Sequence, residues 1–223
     1  MPFNIVVLPN KSYSVQNRIT GHLFSKGSTL EKAKKQLRLV QAKMSGGSQD
    51  KEILYKSMSD EDLHAYFPAS RVVKYSEIPR NTSITDFLKS GDVVFLLYEH
   101  EKNNGHWCGM CRNDKAVFYF DSYGNAPCIP ISWNSPEKNQ ELNQDPNVLN
   151  SMLINSFLPV YYNDYDYQSK KEGISTCGRW VTSFFCFFKK LGGDLLSFKK
   201  MIEKETKKTN KSKDELITEA VKI

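Results

Sequence analysis

At 223 residues and a net charge of +6, with 39% hydrophobic residues, the chain has the composition of a soluble globular protein with a substantial core. No run approaches the roughly 18 consecutive apolar residues needed to span a membrane, and residues 1–9 lack the basic segment of a secretory signal. The five cysteines lack the spacing of a disulfide framework, which favours reduced thiols and an intracellular, reducing location.

Residues 1–54 are predicted to form an N-terminal appendage. Residues 29–44 are strong helix formers behind a capping residue, Ser28 or Thr29, and predict a basic helix. The following Gly46-Gly47-Ser48 is typical of a flexible joint. A second basic segment occupies residues 194–223 and predicts a helical C-terminal tail. Such basic segments are most often solvated helix faces, but they would also attract nucleic acid or an acidic partner.

Residues 55–193 alternate helix and strand signals, which predicts an α+β core. Ser59, followed by acidic residues, indicates the start of a helix that Pro68 ends. Residues 92–98 are a continuous apolar run of strand length, which predicts a central strand buried on both faces. We also predict a helical turn at 83–88, strands at 71–75, 106–111, 116–121 and 158–162, a surface excursion at 122–150, and a helix at 153–157.

Cys177 lies where a polar loop meets the most apolar segment of the chain. Residues 180–191 are too apolar for a surface helix, which indicates a buried helix that Gly192 and Gly193 would end. Ser175 and Thr176 are residue types that cap helices, so Cys177 is expected at the helix N-terminus. The dipole and the exposed N–H groups there favour the nucleophilic thiolate. Simple packing of a buried cysteine is the alternative.

His106 and Asp121 come together if the two strands at 106–111 and 116–121 form a hairpin. A turn centred between residues 113 and 114 pairs residues whose numbers sum to 227, which places His106 directly opposite Asp121. Directly opposite residues share a face, with Cβ atoms about 4.5–5.5 Å apart. That separation suits an acid that orients an imidazole. Both residues would lie at one edge of the sheet, where the N-terminus of the Cys177 helix could dock.

The order of these residues resembles the clan of cysteine proteases that contains adenovirus endopeptidase and the SUMO-specific proteases. The chain is most similar to the maturation proteases of large DNA viruses, virophages and related transposons. Papain-like enzymes differ, because their cysteine precedes their histidine. The resemblance covers roughly residues 55–190 and depends on four motifs in chain order: Gly105-His106-Trp107, Phe118-Tyr119-Phe120-Asp121-Ser122-Tyr123-Gly124, Gln168, and Ser175-Thr176-Cys177-Gly178.

The resemblance implies a small, mostly antiparallel central sheet flanked by helices, with the nucleophile at the N-terminus of a buried helix. It implies Cys177 as the nucleophile, His106 as general base and acid, and Asp121 as the residue that orients His106. Gln168 and the backbone N–H of Cys177 would bind the oxyanion, and Trp107 would pack over the catalytic pair. The gap from Gln168 to Cys177 is nine residues (177 − 168), longer than the clan usually has. The loop must therefore bulge, or another donor must serve.

The implied function is that of a cysteine endopeptidase that cleaves viral capsid or core precursor proteins at Gly-containing sites during virion maturation. It would act in the virion and the host cytoplasm, without a cofactor, a metal or a membrane partner. Relatives of this kind use DNA or a peptide as activator, which the basic segments would allow. A protease that removes SUMO or ubiquitin from host proteins is the second hypothesis, and a non-catalytic binding module is the third.

Cys108 and Cys111 form a Trp-Cys-Gly-x-Cys sequence like that of thioredoxins. In thioredoxins this motif opens a helix. Here it lies in a predicted strand, whose alternation would point the two thiols to opposite faces. A redox protein is therefore a weaker hypothesis. Cys128 and His100 are too scattered in the sequence to complete a structural zinc site.

Met44-Ser45-Gly46-Gly47-Ser48 suggests a processing site. Adenovirus-type proteases prefer a hydrophobic residue, any residue and then Gly-Gly before the scissile bond, because only glycine passes a narrow gorge beside the nucleophile. Cleavage between Gly47 and Ser48, in cis or in trans, would release the N-terminal appendage. A flexible joint is the alternative.

Overall fold

The computed structural model describes residues 3–17, 27–45, 54–171 and 173–223. The chain divides into two compact units, Met1–Glu52 and Ile53–Ile223. The Gly46–Ser48 segment, for which a cleavage site is hypothesised, lies outside the described residues.

The first unit contains a hairpin and a helix. Strands β1 (Phe3–Val7) and β2 (Tyr13–Asn17) pair antiparallel, and Lys11 adopts a positive φ of 58° in the turn between them. Helix α1 (Leu30–Ser45) follows, which confirms the basic helix predicted at 29–44. This hairpin was not predicted from the sequence.

The second unit is built on a five-stranded sheet with the order β3-β4-β5-β6-β7. Its three long central strands pair antiparallel, as expected, whereas the two short outer strands join in parallel. The α+β class is confirmed, with a mixed sheet. The strands are β3 (Arg71–Lys74), β4 (Val93–Glu101), β5 (Asn104–Arg112), β6 (Val117–Asp121) and β7 (Val160–Tyr162).

Five of the seven described helices of the second unit begin directly after a residue whose side chain caps them, whereas the helices that start at Val148 and Cys177 lack a side-chain cap bond, so the capping role expected of Ser175 or Thr176 is not seen. Ser59 caps the first with a reciprocal capping box to Asp62, and Ser212 caps the last in the same way with Glu215. Gly192, at φ 60°, ends the Cys177 helix in the left-handed conformation that glycine adopts freely. The helices are α2 (Asp60–Tyr66), α3 (Ile84–Phe87), α4 (Pro136–Glu141), α5 (Val148–Ile154), α6 (Cys177–Leu191), α7 (Leu195–Thr209) and α8 (Lys213–Ala220).

Both faces of the sheet are covered, so β4 is buried from Val93 to Glu99, as its apolar run predicts. On one face, Phe95 and Phe120 pack in a cluster with Phe184 of α6 and Phe198 of α7. Helix α6 lies close to β5 because Gly109 has no side chain: a Cβ there would come within 2.5 Å of Val181 Cγ1. The cluster on the other face contains these buried residues of the sheet and its surroundings: Val94, Leu96, Met110, Tyr119, Ile84, Phe87, Leu149 and Met152.

Two segments contribute more to this core than the sequence indicates. The excursion at 122–150 contains α4, the start of α5 and a 3-10 turn at Pro130–Trp133, and it buries Ile131 and Leu149 against the second face of the sheet. The C-terminal residues 194–223 lie within the second unit, where Phe198 of α7 and Ile217 of α8 belong to the first cluster.

None of the helices in the described part of the chain has the length and apolar character required to cross a membrane.

Candidate functional site

His106 of β5 and Asp121 of β6 are joined by a short contact, 2.6 Å between His106 Nε2 and Asp121 Oδ1. The predicted register of this hairpin is wrong. Arg112 pairs with Val117, and Asp121 pairs with Cys108 rather than with His106. The connection holds four residues, 113–116, because Asn113 Oδ1 accepts the N–H groups of Lys115 and Ala116 at 2.9 Å each.

The register error does not separate the predicted pair, because it amounts to two residues. Side chains alternate with a period of two along a strand, so a shift of two keeps every residue on its predicted face. His106 and Asp121 are diagonal rather than direct neighbours, and diagonal pairs are within reach of long side chains. The imidazole therefore still meets the carboxylate.

Asp121 is fully buried and is fixed by several hydrogen bonds besides that to His106. Its Oδ1 also accepts the Tyr123 N–H at 3.0 Å, and its Oδ2 accepts Asn125 Nδ2 at 2.8 Å. The side-chain amide of Asn163 bonds to the backbone of Asp121: it accepts the Asp121 N–H at 2.9 Å and donates to the Asp121 carbonyl at 2.6 Å. Burial opposes ionisation, but these donors and the charge of His106 hold the pKa of Asp121 below its usual value.

Cys177 is the first residue of α6, as predicted, and is 7% exposed. Burial favours the neutral thiol, but hydrogen bonding to His106, the charge of His106 and the backbone amides of Trp107 and Gly178 bring the pKa of Cys177 below its usual value. Trp107 donates Nε1–H to the Met58 carbonyl at 3.1 Å. Its Cδ1 would lie 3.3 Å from a Cβ at Gly178, so the indole packs against the residue that follows Cys177.

The imidazole of His106 is hydrogen-bonded to Asp121 and lies close enough to Cys177 to influence its ionisation. Burial alone would lower the pKa of His106, but the neighbouring Cys108 thiol, the Asp121 hydrogen bond and the Cys177 thiol raise it well above its usual value. Since Nε2 bonds to Asp121, Nδ1 is the ring nitrogen left for Cys177. A lowered thiol pKa beside a raised imidazole pKa favours a thiolate–imidazolium pair.

Two aromatic rings enclose His106. Tyr123 stacks on the imidazole, with centroids 5.0 Å apart and an interplanar angle of 20°, and Trp133 approaches at 5.1 Å and 59°. Trp133 is half exposed, so one edge of this aromatic enclosure faces solvent. Such rings are favourable neighbours for an imidazolium.

Gln168 is buried beside the same residues. Its Oε1 accepts Ser122 Oγ–H at 2.9 Å, and its Nε2 donates to the Ile174 carbonyl at 2.9 Å and to Tyr123 Oη at 3.1 Å. The Ile174 carbonyl determines which way the amide points, because a carbonyl can only accept. The structure thus brings Gln168 next to Tyr123, the residue stacked on His106, despite the nine-residue gap to Cys177.

Cys108 is a further neighbour of His106 and Asp121, although the sequence singled it out only as part of the thioredoxin-like motif. The ligand atoms of His106, Cys108 and Asp121 lie within 4.8 Å of one another, a set that could in principle hold a metal ion. The His106 nitrogen and the Asp121 oxygen are already bonded to each other at 2.6 Å, and burial raises the pKa of the Cys108 thiol to about 11. A neutral thiol beside a hydrogen-bonded pair is a poor ligand set.

The remaining cysteines lie elsewhere. Cys111 belongs to the core cluster on the α6 face of the sheet, whereas Cys108 belongs to the cluster on the opposite face. The two thiols of the thioredoxin-like sequence therefore point apart, as strand alternation predicts. Cys128 is exposed and Cys186 is half-buried on α6, and all five cysteines are free.

Several contributors to the site were missed from the sequence. The bond from the Tyr123 N–H to Asp121 could have been expected from turn chemistry, since an Asp side chain commonly accepts the backbone N–H two residues along, but the bond from the Asn125 side chain could not. Tyr123 lies in the quoted motif, but nothing in the sequence shows its stacking on His106. Trp133 and Asn163 come from a loop and a strand end that only the tertiary fold brings to the site.

The arrangement can chemically activate a thiol for nucleophilic attack. An acid orients an imidazole, the imidazole contacts a thiol at a helix N-terminus, and a buried side-chain amide lies close by. This order of contacts matches the geometric logic of nucleophile, base and orienting group.

No known protein family profile matches the chain. The chain is similar to the uncharacterized protein V9 of the Sputnik virophage, with 30% identity over 150 residues, which cover 67% of this chain and 84% of the relative. Identity of this extent over most of both chains shows common descent. The chain therefore belongs to the protein family of V9 from the Sputnik virophage.

Proposed function

We propose that this protein is a cysteine endopeptidase in which Cys177 attacks the scissile carbonyl. The observation that carries the proposal is the buried His106–Asp121 pair at 2.6 Å, whose imidazole also contacts the thiol at the N-terminus of α6. Each member of the set is of the residue type that its role requires, and the perturbed pKa values have the directions that a thiolate nucleophile needs.

In the proposed reaction, the Cys177 thiolate adds to the substrate carbonyl while the His106 imidazolium stays hydrogen-bonded to Asp121. The imidazolium then protonates the leaving amine, and neutral His106 next removes a proton from the water that hydrolyses the thioester. The Cys177 N–H has no partner within its helix, because it belongs to the first turn. With Gln168 Nε2, this N–H would bind the oxyanion. Gln168 would exchange its bond to Tyr123 Oη for one to the oxyanion, and keep that to Ile174.

The proposed role is cleavage of viral capsid or core precursor proteins, at Gly-containing sites, during virion maturation. The virophage relative supports a viral setting, and the protein would then act in the virion and the host cytoplasm. The lysines of α7 and α8 would allow activation by DNA or by a basic-patch-binding peptide. Stimulation by DNA that weakens as salt rises would support this part of the proposal, and an unchanged rate across salt and DNA concentrations would remove it.

The proposal is tested by labelling the full chain with two electrophilic probes. A Gly-Gly peptide vinyl ester tests for a maturation-type endopeptidase, and a ubiquitin-like protein vinyl ester tests for a deconjugating protease. We expect the short peptide to label, with mass spectrometry placing the adduct on Cys177. Labelling only by the folded modifier would move the function to deconjugation. Labelling on Cys108 or Cys111 instead would refute the assigned nucleophile.

Replacing Asp121 by Asn should narrow the pH range of activity and lower kcat/KM by about 10²-fold or more. The carboxylate raises the pKa of His106, so its loss moves the alkaline limb of the pH–rate profile to lower pH. A less basic imidazole also stabilises the thiolate less, so the acid limb moves to higher pH.

The measurement is the pH dependence of kcat/KM for both proteins with a fluorogenic Gly-Gly peptide. Asn125→Ala is the matched comparison, because it removes one hydrogen bond from the same carboxylate and leaves the charge. If both limbs of the pH–rate profile lay at the same pH in Asp121→Asn as in wild type, the assignment of Asp121 as the partner of His106 would be contradicted.

A further inference from the structure

Asp214, in the first turn of α8, is hydrogen-bonded to the residue that follows Gln168 and to the residue that precedes Cys177. Its Oδ1 accepts the Thr176 hydroxyl at 2.6 Å, and Thr176 immediately precedes Cys177. Its Oδ2 accepts the backbone N–H of Ser169 at 2.9 Å, and Ser169 immediately follows Gln168. One carboxylate therefore bridges the residue next to the nucleophile and the residue next to the amide that would bind the oxyanion.

The carboxylate is buried, with Asp214 only 5% exposed, and it also accepts the Trp180 indole N–H at 3.4 Å. All three of its partners are donors, and two of them, the backbone N–H and the indole N–H, can only donate. A carboxylate offers acceptors alone, so it can satisfy all three. An asparagine would turn an NH₂ group toward at least one donor, which leaves two buried donors facing each other.

Helix α8 holds this carboxylate firmly against α6. Ile217 and Val221 are buried in the same core cluster as Trp180, and the buried Arg179 of α6 donates Nε–H to the Val221 carbonyl at 3.2 Å. The Ser212–Glu215 capping box fixes the helix start at which Asp214 sits. The C-terminal residues thus pack against α6 and support one side of the loop that joins Gln168 to Cys177.

The loop needs such support because it is long. Cys177 lies nine positions after Gln168 (177 − 168), and a longer loop loses more conformational entropy when its ends are held together. The Asp214 carboxylate closes this loop at its base, from Ser169 to Thr176. An oxyanion donor and a nucleophile must keep their separation to a fraction of an ångström to act on one carbonyl group.

We propose that Asp214 is a positioning residue, which sets the distance between Gln168 and Cys177 and so forms the oxyanion site from the C-terminal helix. This inference builds on the proposed protease function. It predicts that residues far from the nucleophile in sequence are required for turnover while the thiol itself stays reactive.

The test compares Asp214→Asn with Asp194→Asn in the full chain. Asp194 is a matched control, since it also accepts a backbone N–H at a helix start, that of Ser197 at 2.8 Å, without contacting the loop. For a fluorogenic Gly-Gly peptide, we expect Asp214→Asn to lower kcat about 10- to 100-fold with KM within about threefold. The control should stay within about twofold of wild type for both constants.

Two further readouts separate positioning from simple destabilisation. Binding of a Gly-Gly peptide aldehyde, whose adduct carries an oxyanion, should weaken in parallel with kcat. Alkylation of Cys177 by iodoacetamide, which forms no oxyanion, should change by less than about threefold. Thr176→Val should reproduce the Asp214→Asn pattern, and Thr176→Ser, which keeps the hydroxyl, should restore activity. A loss of kcat that merely tracks the unfolded fraction, or alkylation lost together with kcat, would overturn the proposal.

Hydrogen exchange gives a readout that does not depend on protease activity. Asp214 accepts the Ser169 amide N–H directly. In Asp214→Asn, this amide should exchange at least about tenfold faster than in wild type, and in Asp194→Asn its exchange rate should equal that of wild type. A wild-type protein that neither hydrolyses nor labels with any probe would remove the proposed function. Exchange at Ser169 that is equal in wild type and Asp214→Asn would separately overturn the positioning role.

Discussion

Replacing Cys177 by Ala, or His106 by Ala, is expected to lower kcat/KM for peptide hydrolysis by about 10⁴-fold or more. In the proposed reaction, the Cys177 sulfur bonds to the substrate, and the His106 imidazole lowers the pKa of that thiol and later protonates the leaving amine. Because members of such a set act as a unit, the double variant should lose little more than either single one. The measurement is hydrolysis of the Gly-Gly peptide under single-turnover and steady-state conditions.

Cys128→Ala is the matched control, because Cys128 is exposed and free and lies apart from the described contacts of His106. Its activity should match that of the wild type. Cys177→Ala that still labels with the peptide probe as fast as wild type would mean that another thiol attacks, and Cys108, beside His106, would be the first to examine.

Replacing Phe184 by Ala should lower the free energy of unfolding of the second unit by about 3–5 kcal/mol. Phe184 is fully buried in α6 and stacks on Phe120 of the sheet, with centroids 4.9 Å apart at 13°. It also meets Phe198 of α7 edge-on at 5.4 Å. Truncation leaves a cavity where sheet, α6 and α7 meet, and rigid neighbours on three sides limit collapse into it.

Urea unfolding followed by tryptophan fluorescence would measure this loss. Phe187→Ala on the same helix is the comparison, since Phe187 is only partly buried and contacts Phe198 at 5.5 Å. Phe187→Ala should lower the free energy of unfolding clearly less than Phe184→Ala, because part of the Phe187 side chain is already exposed to solvent. Equal losses for the two variants would contradict the position of α6 in the core.

Local signals predicted most elements of the second unit because their causes are local. Ser59 marked a helix start, a helical turn was predicted at 83–88, and the apolar run at 92–98 marked a buried strand. The hairpin of the first unit was missed, as was the packing of residues 122–150. Gln144 of that segment accepts the Glu99 N–H of β4 at 2.9 Å and donates to the Glu99 carbonyl at 2.8 Å, and it also donates to Asn139 Oδ1 at 3.2 Å. Polar composition conceals such buried amides, since it is also what a surface loop has.

The site shows the same division. His106, Asp121 and Cys177 could be named from the sequence, because strand alternation determines the faces of the first two and the change from a polar loop to an apolar segment marks the start of α6 at Cys177. The exact register of the β5–β6 hairpin could not be predicted, since its four-residue connection depends on hydrogen bonds from the Lys115 and Ala116 N–H groups to the Asn113 side chain. The predicted contact persisted only because the error was an even number of residues.

The α+β class, most of the helix caps, the buried central strand and the residue types able to perform thiol chemistry could be predicted from the sequence alone, because these depend on patterns a few residues long. The enclosure of His106 by Tyr123 and Trp133, the support of Asp121 by Asn163, and the bridge from Asp214 to Ser169 and Thr176 arise only in the folded chain. These contacts join residues 17 to 45 positions apart, or belong to loops without a periodic pattern. Their free energy comes from packing and from satisfying buried donors and acceptors, which depend on the whole fold.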